Sequence, residues 1–191
     1  MGFELVVIGT SLGGLSALQT VLGGLAETFS LPLVVVQHRH KESPPSLSHF
    51  LQQYVRLKIQ DARDKEALVP GRIYLAPPDY HLLVELGQVT LSVDEPVSYA
   101  RPSIDVLFES AAETYGRRAI GIILTGANHD GARGLAAIKA RGGWAIVQNP
   151  DTAENPTMPL AALAATPVDA ILPLSMIASY VMDLCLMKVS S

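Results

Sequence analysis

The hydrophobic residues of the chain follow two alternating patterns. Apolar runs at 5–8, 33–36 and 119–124 are short and almost continuous, which is typical of strands buried on both faces of a parallel sheet. The segments that follow carry apolar residues at spacings of three and four, a period that predicts amphipathic helices. Because such strands and helices alternate, we predict an α/β fold: a doubly wound, mostly parallel, Rossmann-like sheet with helices on both faces.

Weaker apolar runs extend this pattern and add strands at 57–60, 73–75, 144–147 and 170–172. Helices are predicted over 15–25, from Pro44-Pro45 onward, and over 102–115, 131–140, 159–164 and 175–186. Two β-rich runs on either side of Gly87 predict an antiparallel β-hairpin. The polar stretch 148–158 has no period and is predicted to be a loop over the active face.

The composition narrows the class of protein. With 191 residues, of which 49% are hydrophobic and 17% charged, the chain fits one globular domain over 1–191. A net charge of −4 without a basic run gives no electrostatic footprint for nucleic acid. Cys185 is the one cysteine, no apolar run is long enough to span a membrane, and no positively charged leader precedes the first strand. We therefore expect a cytoplasmic protein that does not insert into a membrane.

The turn after the first strand carries the first candidate chemistry. The sequence Gly9-Thr10-Ser11-Leu12-Gly13 has the G-x-S-x-G form, which holds a serine out on a sharp strand-to-helix turn. The amides that open the next helix then face any negative charge that forms beside the serine. An ordinary turn that contains a serine remains the alternative. A dinucleotide loop does not fit, because Ser11 stands where G-x-G-x-x-G needs its second glycine, and a Walker phosphate loop lacks its Gly-Lys-Ser/Thr.

Two further polar residues follow the other strong strands. His38 comes after the second strand and Asp130 shortly after the third. Since the carboxyl ends of parallel strands share one edge of the sheet, and ligands bind there, we expect the three side chains to meet. Ser11 would be the nucleophile, His38 the general base and then the acid, and Asp130 the carboxylate that orients the imidazole.

Each of these residues also has a structural interpretation. His38 could be a core or capping histidine, and Asp130 could cap the helix that follows, a position that aspartate favours. His38, His40 and His49 could suggest a metal site, but their spacing fits no zinc signature and no Cys or Glu completes the set. We therefore predict that the protein holds no metal.

The motifs of the chain, taken together, resemble the catalytic domain of the chemotaxis protein-glutamate methylesterases (CheB). The similarity rests on IGTSLGG at 8–14, QH at 37–38, RPSIDVLF at 101–108 and LTGANHDG at 124–131. Shorter matches occur at 70–71, 74–77, 79–81, 148–149 and 158–159. They stand in the family's order over nearly the whole chain, and Ser11, His38 and Asp130 fall on the family's catalytic serine, histidine and aspartate.

The resemblance implies a reaction and its partners. The expected substrates are glutamate γ-methyl esters on the cytoplasmic helices of chemoreceptors, with deamidation of receptor glutamines as a related activity. No cofactor is implied. The backbone amides of Leu12 and Ala127 are expected to hold the oxyanion. Arg39 and Met158 are assigned to substrate binding: Arg39, with His40 and Lys41, lies beside His38 in sequence and could guide an acidic helical substrate, the alternative being an ordinary solvated charged loop. Typical members carry an N-terminal receiver domain, so its phosphorylation switch is expected to be absent or to lie on a separate receiver protein.

Two departures from the family pattern keep other functions open. The family usually has Met at the position of Ala127, and an apolar, glycine-containing stretch where this chain has Ala-Glu-Asn-Pro-Thr at 153–157. The second change bears on the substrate groove, so a serine esterase of the same mechanism with another protein or small-molecule ester is the main alternative. A binding or scaffold domain that keeps the residues without catalysis is the third hypothesis.

Overall fold

Nine strands make up the β structure of the protein, as seen in a computed structural model that describes residues 2–43 and 47–187. They are β1 (Leu5–Thr10), β2 (Leu33–Gln37), β3 (Lys58–Asp61), β4 (Arg72–Leu75), β5 (His81–Glu85), β6 (Gln88–Ser92), β7 (Ala119–Ile123), β8 (Trp144–Gln148) and β9 (Ala170–Leu172). Seven of them form one sheet in the order β3-β4-β2-β1-β7-β8-β9, in which every neighbouring pair is parallel. The other two, β5 and β6, pair as an antiparallel hairpin.

Helices cover both faces of the seven-stranded sheet. They are α1 (Gly14–Gly23), α2 (Leu47–Gln52), α3 (Ile104–Tyr115), α4 (Ala132–Ala140), α5 (Thr157–Ala165) and α6 (Ile177–Met187). One hydrophobic core packs α1, α2 and α6 against one face. A second core packs α3, α4, α5 and the hairpin against the other. The predicted doubly wound α/β fold with an antiparallel hairpin is confirmed.

The central strand shows why the strong strands are continuously apolar. Val6 and Ile8 belong to the core under α1, whereas Leu5 and Val7 belong to the core under α3. All four side chains are fully buried. Successive side chains of a strand point to opposite faces, so a strand covered on both sides needs an apolar residue at each position.

Helices α3, α5 and α6 each start two residues away from the predicted start. Ser103, rather than Pro102, is the residue before α3, since its side chain accepts a hydrogen bond from the Val106 amide and its backbone is extended, as at an N-cap. Helix α5 begins before Pro159, because the first-turn amides of a helix need no helical acceptor and proline is tolerated there. A 3₁₀ turn over 174–176 precedes α6. The predicted start at Pro44-Pro45 lies outside the described residues.

The strand order places a crevice at the carboxyl ends of β1 and β7. From β1 the chain proceeds to β2 and β4 on one side, whereas β7 leads to β8 and β9 on the other. The order therefore reverses between β1 and β7, and such switch points are where open α/β sheets bind ligands. Within residues 2–43 and 47–187 no helix has the length and apolar character that crossing a membrane requires.

Candidate active site

Ser11 lies on the turn that leaves β1, and that turn is tied to the neighbouring strand ends. The amide of Ser11 donates to the carbonyl of Thr125 at 3.0 Å, and the Thr10 hydroxyl donates to the same carbonyl at 2.7 Å. From the other side, the amide group of the Gln37 side chain donates to the Ser11 carbonyl at 2.9 Å. A Cβ on Gly126 would lie 3.0 Å from the Ser11 Cβ, so the close approach of the two turns needs glycine there.

The three side chains chosen from the strand ends form one hydrogen-bonded line. The Ser11 Oγ lies 3.2 Å from His38 Nδ1, and His38 Nε2 lies 2.7 Å from Asp130 Oδ2. An ionised carboxylate can only accept, so we assign the ring proton to Nε2 and the free lone pair to Nδ1. The lone pair faces the serine, which is the state a general base needs. In the common Ser-His-Asp arrangement the serine meets Nε2 instead, so the ring is used the other way round here.

Three donors besides the histidine hold the Asp130 carboxylate. Its Oδ1 accepts from the Ser103 hydroxyl and the Asp105 amide, both at 2.9 Å, and its Oδ2 accepts from the Ile104 amide at 2.6 Å. These amides open α3, so the carboxylate also lies in the positive end of the helix dipole. Burial alone would raise the pKa of Asp130, but the hydrogen bonds from His38, Asp105 and Ile104 outweigh it and hold the pKa below its usual value.

A second buried carboxylate, Asp105, accepts hydrogen bonds from the start of the other helix. Asp105, in the first turn of α3, accepts from the amides of Gly131 at 2.9 Å and Gly134 at 2.7 Å, where α4 begins. Asp130, just before α4, does the same for α3. Each helix start is thus capped by an aspartate of the other. Burial and the neighbouring Asp130 charge raise the pKa of Asp105, although the Gly134 amide and Arg133 oppose this.

Asn128 makes a second contact to the catalytic face of the imidazole. Its Nδ2 lies 3.0 Å from His38 Nδ1, and its Oδ1 accepts from the Asp130 amide at 3.0 Å. The second bond fixes which end of the amide faces the ring, so Nδ2 is the donor to the Nδ1 lone pair. Asn128 and Ser11 therefore share one acceptor, and the ring is held at both nitrogens.

Two backbone amides lie beside Ser11 at the mouth of the site. Leu12 follows the nucleophile directly and Ala127 follows Gly126; both residues are exposed. Within the described ranges neither amide donates to a protein acceptor, so both are available to an oxygen of a bound molecule. Hydrogen bonds at this position are what a tetrahedral oxyanion requires.

Arg39 and Met158, the two residues assigned to substrate binding, have largely buried side chains, and Arg39 also lines the cavity beside His38. The Arg39 side chain is only 6% exposed, and its Nη1 lies 3.7 Å from Asp61 Oδ1, so its charge is directed into the protein. Met158 is 1% exposed, and its Cε would lie 2.6 Å from a Cβ on Gly126. Met158 therefore packs against the Gly126 turn.

Two open cavities flank His38, which lines both. On the nucleophile side, a cavity of about 630 Å³ is lined by Ser11, Leu12, Leu15, Phe50 and Glu154 among others. On the other side, a cavity of about 580 Å³ is lined by His40, Lys41, Tyr99, Arg101 and Asn128 among others. Leu15 and Phe50 fall at apolar positions of the helical patterns, where core residues are expected, but they are 41% and 37% exposed and line this cavity. The apolar pattern alone does not separate them from core residues.

No group of three or more His, Cys, Asp or Glu side chains in the described part of the chain is arranged to hold a metal ion. The site therefore consists of a serine, an imidazole, a buried carboxylate and two free amides. These groups are the components of acyl transfer.

Comparison with known proteins agrees with this chemistry. A model of the CheB methylesterase family matches residues 6–181. The chain belongs to the CheB methylesterase family. The crystal structure of the Thermotoga maritima CheB methylesterase catalytic domain superposes with a TM-score of 0.90 and 32% identity, covering 96% of this chain and all of that one.

Curated relatives of the CheB family extend the likeness in sequence. A Leptospira interrogans protein, provisionally named protein-glutamate methylesterase/protein-glutamine glutaminase, is 48% identical over 179 residues, which is 93% of each chain. Protein-glutamate methylesterase/protein-glutamine glutaminase 1 of Carboxydothermus hydrogenoformans is 41% identical over 183 residues, 93% of this chain and 54% of that protein.

Sequence reasoning about this CheB-family chain missed the support of the site. Asp105 and Asn128 lay inside motifs that carried the resemblance, but neither was given a role. Asp105 stands one turn into an amphipathic helix, where an acidic residue is ordinary. Its one signal was polarity at a position that the structure buries to 4% exposure. The contacts of Asn128 depend on a turn whose shape the sequence does not specify.

Proposed function

We propose that this protein is a protein-glutamate methylesterase that hydrolyses glutamate γ-methyl esters on the cytoplasmic helices of chemoreceptors, and that it also deamidates receptor glutamines. The observation that supports this most directly is the line Ser11–His38–Asp130 at the switch point of a CheB-family fold. Membership of the family supports a glutamate methyl ester as the substrate, and the three hydrogen-bonded side chains support its hydrolysis through a serine nucleophile.

In the first half of the reaction the Ser11 hydroxyl attacks the ester carbonyl, and His38 Nδ1 takes its proton. The Asp130 carboxylate stabilises the imidazolium through Nε2. The carbonyl oxygen becomes an oxyanion facing the amides of Leu12 and Ala127; one such donor typically lowers the barrier by roughly 2.7–4 kcal/mol. His38 then returns the proton to the methoxy oxygen, and methanol leaves.

In the second half a water molecule attacks the glutamyl ester on Ser11. His38 removes one proton from that water and returns it to the Ser11 oxygen, which releases the side chain as glutamic acid; the acid then gives its remaining proton to solvent. A glutamine substrate follows the same path with ammonia as the leaving group. In each half of the reaction His38 Nδ1 accepts a proton once and donates it once. One fixed orientation of the ring is therefore enough for every proton transfer.

The substrate places the protein in the cytoplasm, where the signalling helices of chemoreceptors lie. Regulation by a separate receiver protein is part of the same proposal. A receiver that covered the two cavities beside His38 would block access without altering the triad.

Methanol release from a methylated receptor fragment tests the proposal, with wild type beside Ser11→Ala. We expect release by wild type, and a loss of roughly 10⁴-fold or more in the variant, as is usual when a serine nucleophile is removed. Ammonia release from a glutamine-containing fragment tests the deamidase activity. Turnover of simple esters at a higher rate than of the receptor would favour the alternative esterase, and equal hydrolysis by wild type and Ser11→Ala would favour a scaffold.

A further inference from the structure

The two cavities beside His38 differ in charge. Of the residues that line the nucleophile-side cavity in the described chain, Glu154 is the one with a permanent charge, and the others include the apolar Leu12, Leu15 and Phe50. Glu154 is exposed and lies over the turn after the nucleophile: its Oε2 would be 2.7 Å from a Cβ on Gly13. A carboxylate thus stands at the wall nearest to Ser11.

The opposite cavity carries an excess of basic groups. Arg101 is paired with Asp79 at 2.6 Å, and Arg39 is turned toward Asp61, so these pairs contribute little net charge. Lys41 remains as an exposed cation on the wall beside His38, next to His40, whose Nδ1 accepts from the Glu42 amide at 3.3 Å. No acidic side chain of the described residues forms an ion pair with Lys41. The rim is therefore positive on this side of the imidazole and negative on the other.

We propose that the two cavities form one substrate groove that reads the direction of charge along the bound segment. The groove takes an amphipathic segment that places acidic side chains against His40 and Lys41. It places basic and apolar side chains against Glu154, Leu15 and Phe50. The charges at the two ends of the groove then determine whether the residues before or after the glutamate ester lie in the cavity that contains Ser11 and Glu154. This inference rests on the proposed function, since the ester must lie at Ser11.

Exposed charges of opposite sign on the groove and on the bound segment attract each other. A single exposed ion pair contributes about 0.2–1 kcal/mol, which corresponds to roughly a 1.5- to 5-fold change in kcat/KM. In one orientation of the segment the contacts at both ends of the groove are attractive. In the reverse orientation both contacts bring like charges together and are repulsive. Exposed charges are also screened, so the preference should weaken between about 0.01 M and 0.15 M salt.

The test uses two receptor-derived peptides that carry one methylated glutamate. One has acidic residues before it and basic residues after it, and the other has the reverse order. Wild type is expected to prefer one peptide by about 3- to 10-fold in kcat/KM. The double variant Lys41→Glu/Glu154→Lys should invert the preference, and each single variant should bring the two rates closer together. Turnover of a simple glutamate methyl ester, measured for all four proteins, corrects the peptide rates for any general change in activity.

Matched controls use charges that lie away from the groove. Glu27 and Lys58 are exposed and line neither cavity, so Lys58→Glu/Glu27→Lys changes the same charges elsewhere and should leave the preference intact. An unchanged preference in the groove double variant, or an inversion in this control, would overturn the proposal. Binding of both peptides to Ser11→Ala separates the two levels of the argument. If Ser11→Ala binds one peptide more tightly than the other but wild type hydrolyses neither, the proposed function is wrong and the groove proposal stands. Hydrolysis of both peptides at equal rates would do the opposite.

Discussion

Asp130 and Glu154 are two carboxylates of one active site, and their surroundings are opposite. Asp130 is 2% exposed and accepts from the Ser103 hydroxyl, two backbone amides and the imidazole. Glu154 is exposed on a loop, beside a turn rather than inside a helix start. The first has one position that satisfies all its partners. The Glu154 side chain is exposed and can contact a molecule bound in the groove.

The same contrast holds for the regions around these two residues. The chemistry rests on elements that fix one another: β1, β7 and the exchanged caps of α3 and α4. Selection of the substrate rests on loops, such as 153–157 and the turn at 97–100. A change in the first region should alter the reaction with every substrate, whereas a change in the second should alter only reactions with large substrates.

The largest effect is expected for Asp130→Asn. An amide in place of the carboxylate points an NH₂ group either at His38 Nε2 or at the backbone amides of α3. The first leaves the wrong ring tautomer facing Ser11; the second leaves a buried donor without an acceptor, at a cost of about 1–3 kcal/mol. We expect kcat on a small ester and on receptor to fall together by roughly 10³–10⁴-fold. A loss confined to the receptor would contradict this division between the two regions.

Two variants of Asp105 distinguish its hydrogen bonds, which position Asp130, from its negative charge. Asp105→Ala removes the acceptor of the Gly131 and Gly134 amides, so we expect a loss of stability of about 2–3 kcal/mol and a 10- to 100-fold lower kcat through a displaced Asp130. Asp105→Asn can keep both hydrogen bonds through its carbonyl oxygen, and it should retain most activity. Denaturant unfolding and ester turnover of the two variants measure the difference. Equal activity in both would show that Asp105 does not position Asp130.

The pH dependence of stability gives an independent measure of the Asp105 charge. The pKa of Asp105 is raised above 3.8, so the folded state binds this proton more tightly than the unfolded state does. Its contribution to stability therefore increases as pH falls through the raised pKa and is complete near 3.8. The lowered pKa of Asp130 acts in the opposite direction: its contribution is present above 3.8 and is lost at lower pH. The stability of wild type relative to Asp105→Asn should accordingly rise between neutral pH and about 4.

This division also explains how much of the molecule the sequence could predict. Ser11, His38 and Asp130 could be chosen because each follows a strong apolar strand, and topology brings strand ends to one edge. The hydrogen-bonded line itself, and the reversed use of the imidazole nitrogens, depend on side-chain rotamers that a pattern does not contain. The same limit applies to Asp105, whose partners come from another helix.

The groove was harder to predict, for a physical reason. Leu15 and Phe50 carry the spacing of core residues, and the pattern cannot tell an apolar wall of a cavity from an apolar wall of a core. Arg39 stands beside the catalytic histidine in sequence, but Asp61, on the edge strand β3, draws its side chain inward. Long-range pairs of this kind are decided by packing, so the direction of the Arg39 side chain could not be predicted from its place in the sequence.

Asn128→Ala tests the boundary between the two regions. The variant removes one of two donors to His38 Nδ1 and leaves the Nε2–Asp130 bond intact. A hydrogen bond of this kind contributes about 1 kcal/mol of orientation, so kcat should fall by roughly 5- to 10-fold with KM unchanged. The fall should be the same for a small ester and for receptor. A rise in kcat would mean that Asn128 competes with Ser11 for the lone pair more than it orients the ring.

The smallest effect is expected at Tyr99, and it should have opposite signs for stability and for function. Val97 and Ala100 exchange backbone hydrogen bonds of 3.1 and 2.9 Å across a two-residue turn, in which Ser98 and Tyr99 have φ values of 51° and 63°. Such turns favour Asn and Gly, because other residues are strained in this region. The strained turn presents a fully exposed aromatic ring at the mouth of the His40–Lys41 cavity.

Tyr99→Asn should therefore stabilise the fold, by up to about 1 kcal/mol, and raise KM for receptor by roughly 3- to 5-fold while small-ester turnover stays constant. Ser98→Gly is the matched control, because it relieves the neighbouring position of the same turn and keeps the ring. It should leave KM for receptor unchanged. If both variants raise KM equally, the shape of the turn matters and the ring does not; if neither does, the 97–100 turn lies outside the groove that the receptor occupies.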